Sequence, residues 1–176
     1  MLNKLGIIAG LSILLIACQD MENNNRNLHF RIENLADADT SHIFYSETVY
    51  VPVYTDVYHV DQSRLFPLTV TLSLRNTSLT DTIAVQKVDY YNSDGKLVKK
   101  HIEESKMLLL EPLESYELVI DKMTYTGDTG ANFIVEWGGK TNNSSMLIQA
   151  LMINTSGQQG LSFITEGKII KSQIKP

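Results

Sequence analysis

The strongest constraint on the fold of this chain is the alternation of apolar and polar residues in short runs. In residues 131–137, read ANFIVEW, every second residue from Ala131 to Trp137 is apolar. Side chains alternate between the two faces of a β-strand, so this pattern assigns one face to a hydrophobic core. The opposite face carries Asn132 and Glu136. We therefore expect a strand here, around which the rest of the chain packs.

Other runs follow the same rule. Residues 68–74 alternate leucine or valine with threonine or serine, which predicts a half-buried strand. Residues 49–53 also alternate, and Pro52 predicts an edge position because proline donates no backbone hydrogen bond. Residues 147–153 are apolar on both parities, which fits either a strand covered on both faces or one or two helical turns; the short length favours the strand.

Turns and irregularities are also predictable. In residues 83–91 the apolar parity shifts by one near Gln86 and Lys87, which indicates a β-bulge. The sequence NSDG at residues 92–95 predicts a turn in which Gly95 has a positive φ. Residues 138–145 form a loop by composition, and residues 160–170 form a last strand or hairpin. Short strands without a convincing amphipathic helix predict an all-β protein with a single immunoglobulin-like β-sandwich at residues 46–176.

The first residues predict a lipoprotein signal peptide. Lys4 precedes an apolar run that is shorter than a membrane-spanning helix, and LIAC at residues 15–18 is similar to a bacterial lipobox. The resemblance implies cleavage after residue 17 and acylation of Cys18, which would anchor the chain in a membrane. We assign residues 18–45 to the lipidated cysteine and a flexible tether, with residues 28–44 open between tether and docked arm. Gln19 favours the outer membrane, with the domain facing the periplasm or the cell surface.

Cysteine content and charge exclude several classes of function. Cys18 is the only cysteine, so the lipidated chain has no disulfide, no cysteine nucleophile and no cysteine metal ligand. The full chain has a formal net charge of −5, which argues against nucleic acid as a partner because phosphate binding requires a basic surface.

Seven stretches together resemble one family of small bacterial lipoproteins of unknown function, the DUF3124 family. The stretches lie between about Tyr50 and Ile170 and read YVPVYTDVYH, FPLTVTLSLRNTS, VDYYNSDGKLV, LEPLESYELVI, TGANFIVEW, QALMI and QGLSFITEGKII. The order of an N-T/S turn, a tyrosine-rich hairpin and an L-x-P-x-x-S corner also resembles immunoglobulin-like domains of bacterial envelope proteins. The resemblance implies no activity and transfers no functional residue.

The first candidate surface is the face that carries Asn132 and Glu136, together with Asp128 in the adjacent loop 127–130. These side chains could contact a ligand or act as a general acid and base. A solvated outer face would show the same residues, because alternation alone predicts them. The glycine-flanked loop adds weight, since binding sites often lie on loops held by a rigid sheet.

The second candidate surface is the segment from Tyr50 to Asp61. Tyr50, Tyr54 and Tyr58 recur every four residues, which would place all three rings on one face of a strand to stack on a sugar or peptide, or simply to pack. His59 and Asp61 could contribute to a metal site, but two ligands do not complete one.

These observations lead to one functional hypothesis and two alternatives. We expect a membrane-anchored envelope lipoprotein that binds an envelope protein or glycan without catalysis and without a cofactor. The first alternative is an enzyme acting on envelope polymers, with Glu136 and Asp128 as acid and base. The second is a periplasmic metal-binding protein centred on His59 and Asp61.

Overall fold

The structure is a computed structural model that describes residues 35–120, 129–156 and 160–175. These ranges contain thirteen β-strands, and no helix within them could cross a membrane. The strands in chain order are Leu35–Asp37 (β1), Tyr45–Val53 (β2), Asp56–His59 (β3), Asp61–Pro67 (β4), Thr69–Asn76 (β5), Ile83–Tyr91 (β6), Leu97–Lys100 (β7), Lys106–Leu110 (β8), Ser115–Ile120 (β9), Ala131–Gly139 (β10), Met146–Asn154 (β11), Leu161–Glu166 (β12) and Lys168–Ile174 (β13). The all-β prediction is confirmed.

The strands form two main antiparallel sheets. The seven-stranded sheet has the order β1-β8-β6-β10-β2-β13, with β7 paired to β6 beside this path. The four-stranded sheet has the order β12-β11-β5-β9, and β3 and β4 form a separate two-stranded hairpin. One continuous hydrophobic core draws residues from both main sheets, so they pack face to face as a sandwich. The predicted immunoglobulin-like domain is also a sandwich of two sheets, and the structure agrees with the prediction to that extent.

Strand β10 lies at the centre of the larger sheet and confirms the predicted faces. Phe133 and Val135 are fully buried and Trp137 is 1% exposed, whereas Asn132 and Glu136 are only partly buried. The ladder with β6 pairs Glu136 with Lys87 and then Trp137 with Val85. One residue, Gln86, is therefore extra, and the predicted β-bulge is confirmed.

The end of β10 differs from the sequence prediction. Composition predicts a loop at residues 138–145, but residues 138 and 139 continue the strand. A Cβ atom on Gly138 would lie 2.5 Å from Cγ2 of Ile43 and 2.9 Å from the carbonyl oxygen of Tyr45. Glycine is thus required here by the close passage of the preceding chain, which local sequence does not reveal.

The edge position predicted from Pro52 is wrong, because β2 lies between β10 and β13. The pairing with β13 reaches only to Tyr50, so Pro52 lies beyond its last residue pair. The Pro52 carbonyl oxygen accepts a hydrogen bond from Oγ1 of Thr165 on that same side. In an antiparallel strand the N–H and C=O of one residue point to the same side, so the missing N–H costs the ladder with β10 nothing.

Residues 147–153 form a strand, as favoured, but only one of its faces is covered. Ile148, Ala150 and Met152 are buried in β11, whereas Leu147 and Leu151 are exposed by 37% and 38%. The expectation of cover on both faces is wrong, because the four-stranded sheet has no described layer on its outer side.

Strands β12 and β13 are not paired with each other. β12 pairs with β11 in the smaller sheet, and β13 pairs with β2 in the larger one. The chain changes sheets at Gly167, whose N–H donates to the Ile148 carbonyl oxygen at 2.9 Å. A Cβ atom there would lie 2.6 Å from Cγ1 of Val49, so only glycine fits without movement.

The domain extends upstream of the boundary predicted at residue 46. β1 pairs with β8 at one edge of the larger sheet, so residues 35–45, assigned to the tether, belong to the fold. Residues 38–44, which we call the arm, cross the outer side of this sheet. Ile43 is 6% exposed there and packs with Ala84 and Met107 in a second small apolar cluster. The docked-arm alternative is therefore correct from residue 35 onward.

Candidate functional site

The outer face is the side of the seven-stranded sheet opposite the core, in the part that the arm leaves open. Its central residues come from three adjacent strands. They are Tyr50 on β2, Lys87 and Asp89 on β6, and Asn132, Ile134 and Glu136 on β10. Ladder pairing places Asp89 opposite Ile134 and Ile134 opposite Tyr50, and it places Lys87 opposite Glu136. The two residues singled out by sequence, Asn132 and Glu136, therefore share this face.

Glu136 is held by an ion pair. Its Oε1 accepts a hydrogen bond from Nζ of Lys87 at 2.7 Å, and the two side chains are 38% and 40% exposed. This bond raises the pKa of Lys87. A half-exposed pair of this kind contributes at most about 1 kcal/mol to stability. Its main effect is to fix both charges in place on the face.

Asp89 is the most unusual group on this face. It is 4% exposed, and its Oδ1 has no hydrogen-bond partner among the described residues. Burial raises the pKa of this carboxyl, and the positive charges of Lys87 and Lys100 offset only part of that effect. A buried carboxylate oxygen without a donor is destabilising, which makes Asp89 a candidate for a functional role.

A second ion pair borders Asp89. Lys100, which lies opposite Asp89 in the ladder with β7, donates from Nζ to Oε1 of Glu104 at 2.6 Å. The buried carboxyl thus has one lysine two residues earlier on its own strand and another opposite it on β7, and each lysine is already bound to a glutamate. This arrangement keeps the lysines near Asp89 without either of them forming a hydrogen bond to its Oδ1.

Of the remaining residues of the first candidate surface, the structure describes Asn132 and Gly130 but not Asp128. Asn132 lies between Tyr91 and Pro52 in the sheet, and no side-chain hydrogen bond of Asn132 occurs within the described ranges. Asp128 and Gly127 lie outside the described residues. Gly130, the last residue of the predicted loop, donates its N–H to Oγ of Ser93 at 3.0 Å, which attaches this end of the loop to the β6–β7 turn. In that turn Gly95 has φ 73°, as predicted.

The three tyrosines of the second candidate surface do not share a face. Tyr50 lies on the outer face, but β2 ends at Val53. Tyr54 follows that end and makes an edge contact with Phe163, and Tyr58 belongs to the β3–β4 hairpin. The prediction of one aromatic stripe is wrong because the chain leaves the larger sheet between Tyr50 and Tyr58, and a four-residue spacing cannot report such a break.

His59 and Asp61 lie at the tip of the β3–β4 hairpin. The ring of His59 is 6.1 Å from that of Phe66. Oδ1 of Asp61 accepts from the N–H and the hydroxyl of Ser63, at 2.9 and 2.6 Å, which lowers the pKa of this carboxyl. In the described part of the chain, no three His, Cys, Asp or Glu side chains are grouped to hold a metal ion. These hydrogen bonds to Ser63 indicate that Asp61 stabilises the turn at the tip of the hairpin.

The arm creates a cleft that sequence reasoning did not identify. It has a volume of about 380 Å³ and lies between the arm, the start of β6 and the end of β10. Its charged and polar lining includes Asp39, His42, Glu111 and Lys140. These charged groups are of both signs and exposed, and Ile43 contributes the apolar part of the lining. Among these four side chains there is no buried polar atom without a hydrogen-bond partner, such as Oδ1 of Asp89.

His101 directly follows β7, and its ring lies 6.1 Å from the ring of Phe133. This partly buried histidine leads us to expect a pH dependence of stability. Burial, with a smaller effect of Lys99, lowers its pKa from 6.5 to about 4. The folded state therefore favours the neutral ring. Burial of the neutral ring contributes fully to the stability of the folded state above pH 6.5, and this contribution is lost as the pH falls to about 4. We expect a loss of about 2 to 3 kcal/mol over this range, measured by urea unfolding at several pH values.

Asp89 contributes to the pH dependence in the opposite direction, because its raised pKa means that protonation favours the folded state. Matched variants separate the contribution of His101 from that of Asp89. His101→Gln should remove most of the loss between pH 6.5 and 4. His42→Gln, at a side chain that is 78% exposed, should leave it intact. An unchanged pH profile in His101→Gln would refute the assignment.

Sequence reasoning named Tyr50, Asn132 and Glu136 of the outer face as candidate site residues and missed Asp89. Asp89 lies on the same side as Lys87 after the bulge, so its parity could have been deduced. Its burial could not, because neighbouring side chains on β7 and β10 produce it.

The crystal structure titled "Thermotoga maritima 1070" is similar over 69% of this chain and 92% of that chain, at 15% sequence identity and a TM-score of 0.40. No curated protein matches the chain. A family model described as "Protein of unknown function (DUF3124)" matches residues 46–170, which is most of the chain. The chain therefore belongs to the DUF3124 family.

Proposed function

We propose that this protein is a lipid-anchored protein of the bacterial envelope and that its β-sandwich is a non-catalytic binding module. The outer face is its contact surface. The partner is an envelope protein or glycan that presents N–H or O–H donors.

The observation that carries this proposal is Asp89. A sheet face that only needs solvation has no use for a buried carboxyl, because exposure or an uncharged residue would be more stable. The cost to stability is understandable if a partner donates a hydrogen bond to Oδ1, since the low local polarity then strengthens that bond. Asn132 and Tyr50, on the adjacent strands, add an amide and a phenol to the same surface.

The charges around Asp89 favour binding over catalysis. Glu136, the acid or base of the enzyme alternative, is engaged by Lys87 at 2.7 Å. Its partner in that alternative, Asp128, lies outside the described residues. The surface is also a sheet face and not a cleft that excludes water, which general acid–base chemistry on a polymer would require.

The membrane location rests on the first residues of the chain. The positive n-region, the apolar run and the sequence LIAC end at the single cysteine, Cys18. Acylation of Cys18 would tether the domain through residues 19–34 to β1.

In-cell crosslinking of the full lipidated chain, followed by affinity purification, tests the proposal. Wild type should capture a discrete envelope partner. Asp89→Asn and the double change Asn132→Ala/Glu136→Ala should each reduce that capture at least about tenfold. For Asp89→Asn this corresponds to replacing a charged acceptor by a neutral one, and for the double change to losing polar contacts with the partner. Glu117→Ala, on the exposed side of β9, is the matched control and should capture normally.

Two further measurements separate binding from folding and anchoring. Asp89→Asn should leave the free energy of unfolding at neutral pH unchanged or higher, because it removes a buried charge. Cys18→Ser should release the protein from the membrane fraction. Capture that is equal in wild type and in both face variants would refute the outer face as the contact surface.

A further inference from the structure

We propose that strand β13 is a second recognition site, at which an acidic, extended segment of a partner protein pairs with the open edge of the larger sheet. β13 is the last strand of this sheet, and β2 is its only partner among the described strands. Its backbone groups that point away from β2 are therefore available to another strand. This mode of binding, β-strand addition, takes its affinity from main-chain hydrogen bonds.

The exposure of β13 distinguishes it from a protected edge. All seven of its residues are exposed. They include Ile169, Ile170 and Ile174, which are 52%, 56% and 59% exposed. Proteins usually shorten or cover such edges, because long apolar edges bind other chains. A strand added beside β13 would cover the isoleucines with its own side chains.

The register indicates where a partner would pair. The ladder with β2 is irregular between Ile169 and Lys171, so Ile170 is an extra residue. From Lys171 to Ile174 the pairing is regular. It continues at Lys175, whose N–H donates to the carbonyl oxygen of Phe44 at 2.8 Å. We place the added strand along residues 171–175, because a bulge disrupts the ladder and bends the strand.

Charge specifies the chemistry of the partner. The segment reads KIIKSQIK, with lysines at 168, 171 and 175 and no acidic residue, although the chain as a whole has a net charge of −5. Within the described residues, Lys168 and Lys171 form no ion pair. Like charges on paired strands are destabilising, so a second copy of β13 is a poor partner and an acidic strand is a good one.

The other edges of the two main sheets lack this combination. β1 and β7 have three and four residues, and β9 and β12 have six. β9 and β12 carry Glu117 and Glu166, and Lys100 of β7 is already paired with Glu104. Among the edges of the two main sheets, β13 is thus the longest and the one with unpaired positive charge. Strand β4 of the separate hairpin also has seven residues, but it carries Asp61.

Fluorescence polarisation with the purified full chain tests the proposal. The probe is a fluorescein-labelled peptide of alternating glutamate and valine, with two matched peptides as controls. One control replaces glutamate by lysine, and the other is N-methylated at alternate backbone nitrogens. The acidic peptide should bind at least about tenfold more tightly than either control, because one control lacks the charge and the other lacks the backbone donors. Hydrogen exchange should slow at the β13 amides that face away from β2.

Variants then locate the site. Lys171→Glu/Lys175→Glu should weaken binding of the acidic peptide at least about tenfold and reverse the preference between the two charged peptides. Lys140→Glu, an exposed lysine on another loop, is the matched control and should bind like wild type. Circular dichroism of each variant confirms that it is folded.

Three results would overturn the proposal: equal binding of the acidic and N-methylated peptides, exchange protection elsewhere than β13, or a concentration-dependent dimer in which β13 is already protected. Asp89 and Asn132 are not part of this site. A negative result with the peptides therefore leaves the proposed role of the outer face unchanged. A negative result in the capture experiment likewise leaves the proposed β13 site unchanged.

Discussion

Replacing Trp137 by alanine is expected to lower the free energy of unfolding by about 3 to 5 kcal/mol. Trp137 is 1% exposed and is one of the largest side chains in the core. It lies on β10, the strand with core residues on both neighbours, and the ring of Tyr45 contacts it edge-on at a centroid distance of 5.9 Å. Removing the indole would leave a cavity that the surrounding strands can close only in part.

The measurement is urea unfolding followed by circular dichroism, since Trp137 is the only tryptophan and the variant loses that fluorescence signal. Trp137→Phe should cost clearly less than the alanine change. The indole N–H is buried without an acceptor among the described residues, so phenylalanine removes an unsatisfied donor while it keeps a ring. Glu136→Ala, one residue earlier, should change stability by less than about 1 kcal/mol. A small effect at Trp137 would overturn the assignment of the core face.

Replacing Asn76 by alanine is expected to cost about 3 kcal/mol, although asparagine is not a core residue by composition. Asn76 is 2% exposed at the end of β5. Its Nδ2 donates to the carbonyl oxygens of Asp81, Leu110 and Glu111 at 2.7 to 3.0 Å, and its Oδ1 accepts from the N–H of Ser78 at 2.9 Å. One side chain thus joins a strand of the smaller sheet to the end of β8 in the larger one.

Asn76→Asp separates hydrogen bonding from packing. The carboxylate has nearly the same shape, but it cannot donate and would face three carbonyl oxygens, so we expect it to be at least as damaging as alanine at neutral pH. Asn143→Ala, at an exposed loop position, should change stability by less than about 0.5 kcal/mol. Equal stability of Asn76→Asp and wild type would show that the three donor contacts contribute nothing.

These two residues show different degrees of predictability. The position of Trp137 follows from alternation alone, because a period of two assigns every second residue to one face. Asn76 is the asparagine of the N-T/S turn in the stretch FPLTVTLSLRNTS. Its role as a link between the two sheets depends on β8, which lies more than thirty residues away. Local pattern reports which way a side chain points, and it does not report which strand lies opposite.

The same limit explains the errors. The edge prediction for Pro52 rests on the missing donor, yet the N–H that proline lacks would point to the side where β13 has already ended. The tyrosine stripe failed because the chain leaves the sheet after Val53. The last strands differ from a hairpin because β12 pairs with β11 and β13 pairs with β2, so the chain changes sheets at Gly167. Each error concerns a contact between segments distant in sequence.

By itself, the sequence determined the all-β class, the core face of β10, the bulge at Gln86 and the turn at Gly95, because side-chain alternation and backbone conformation are local properties. Only the tertiary structure decided the partners of each strand, the docking of the arm, the burial of Asp89 and the exposure of β13. Strand pairing joins residues far apart in the chain, and burial depends on every side chain that surrounds a group. The candidate sites of this protein are therefore properties of the assembled sheets and not of any one segment.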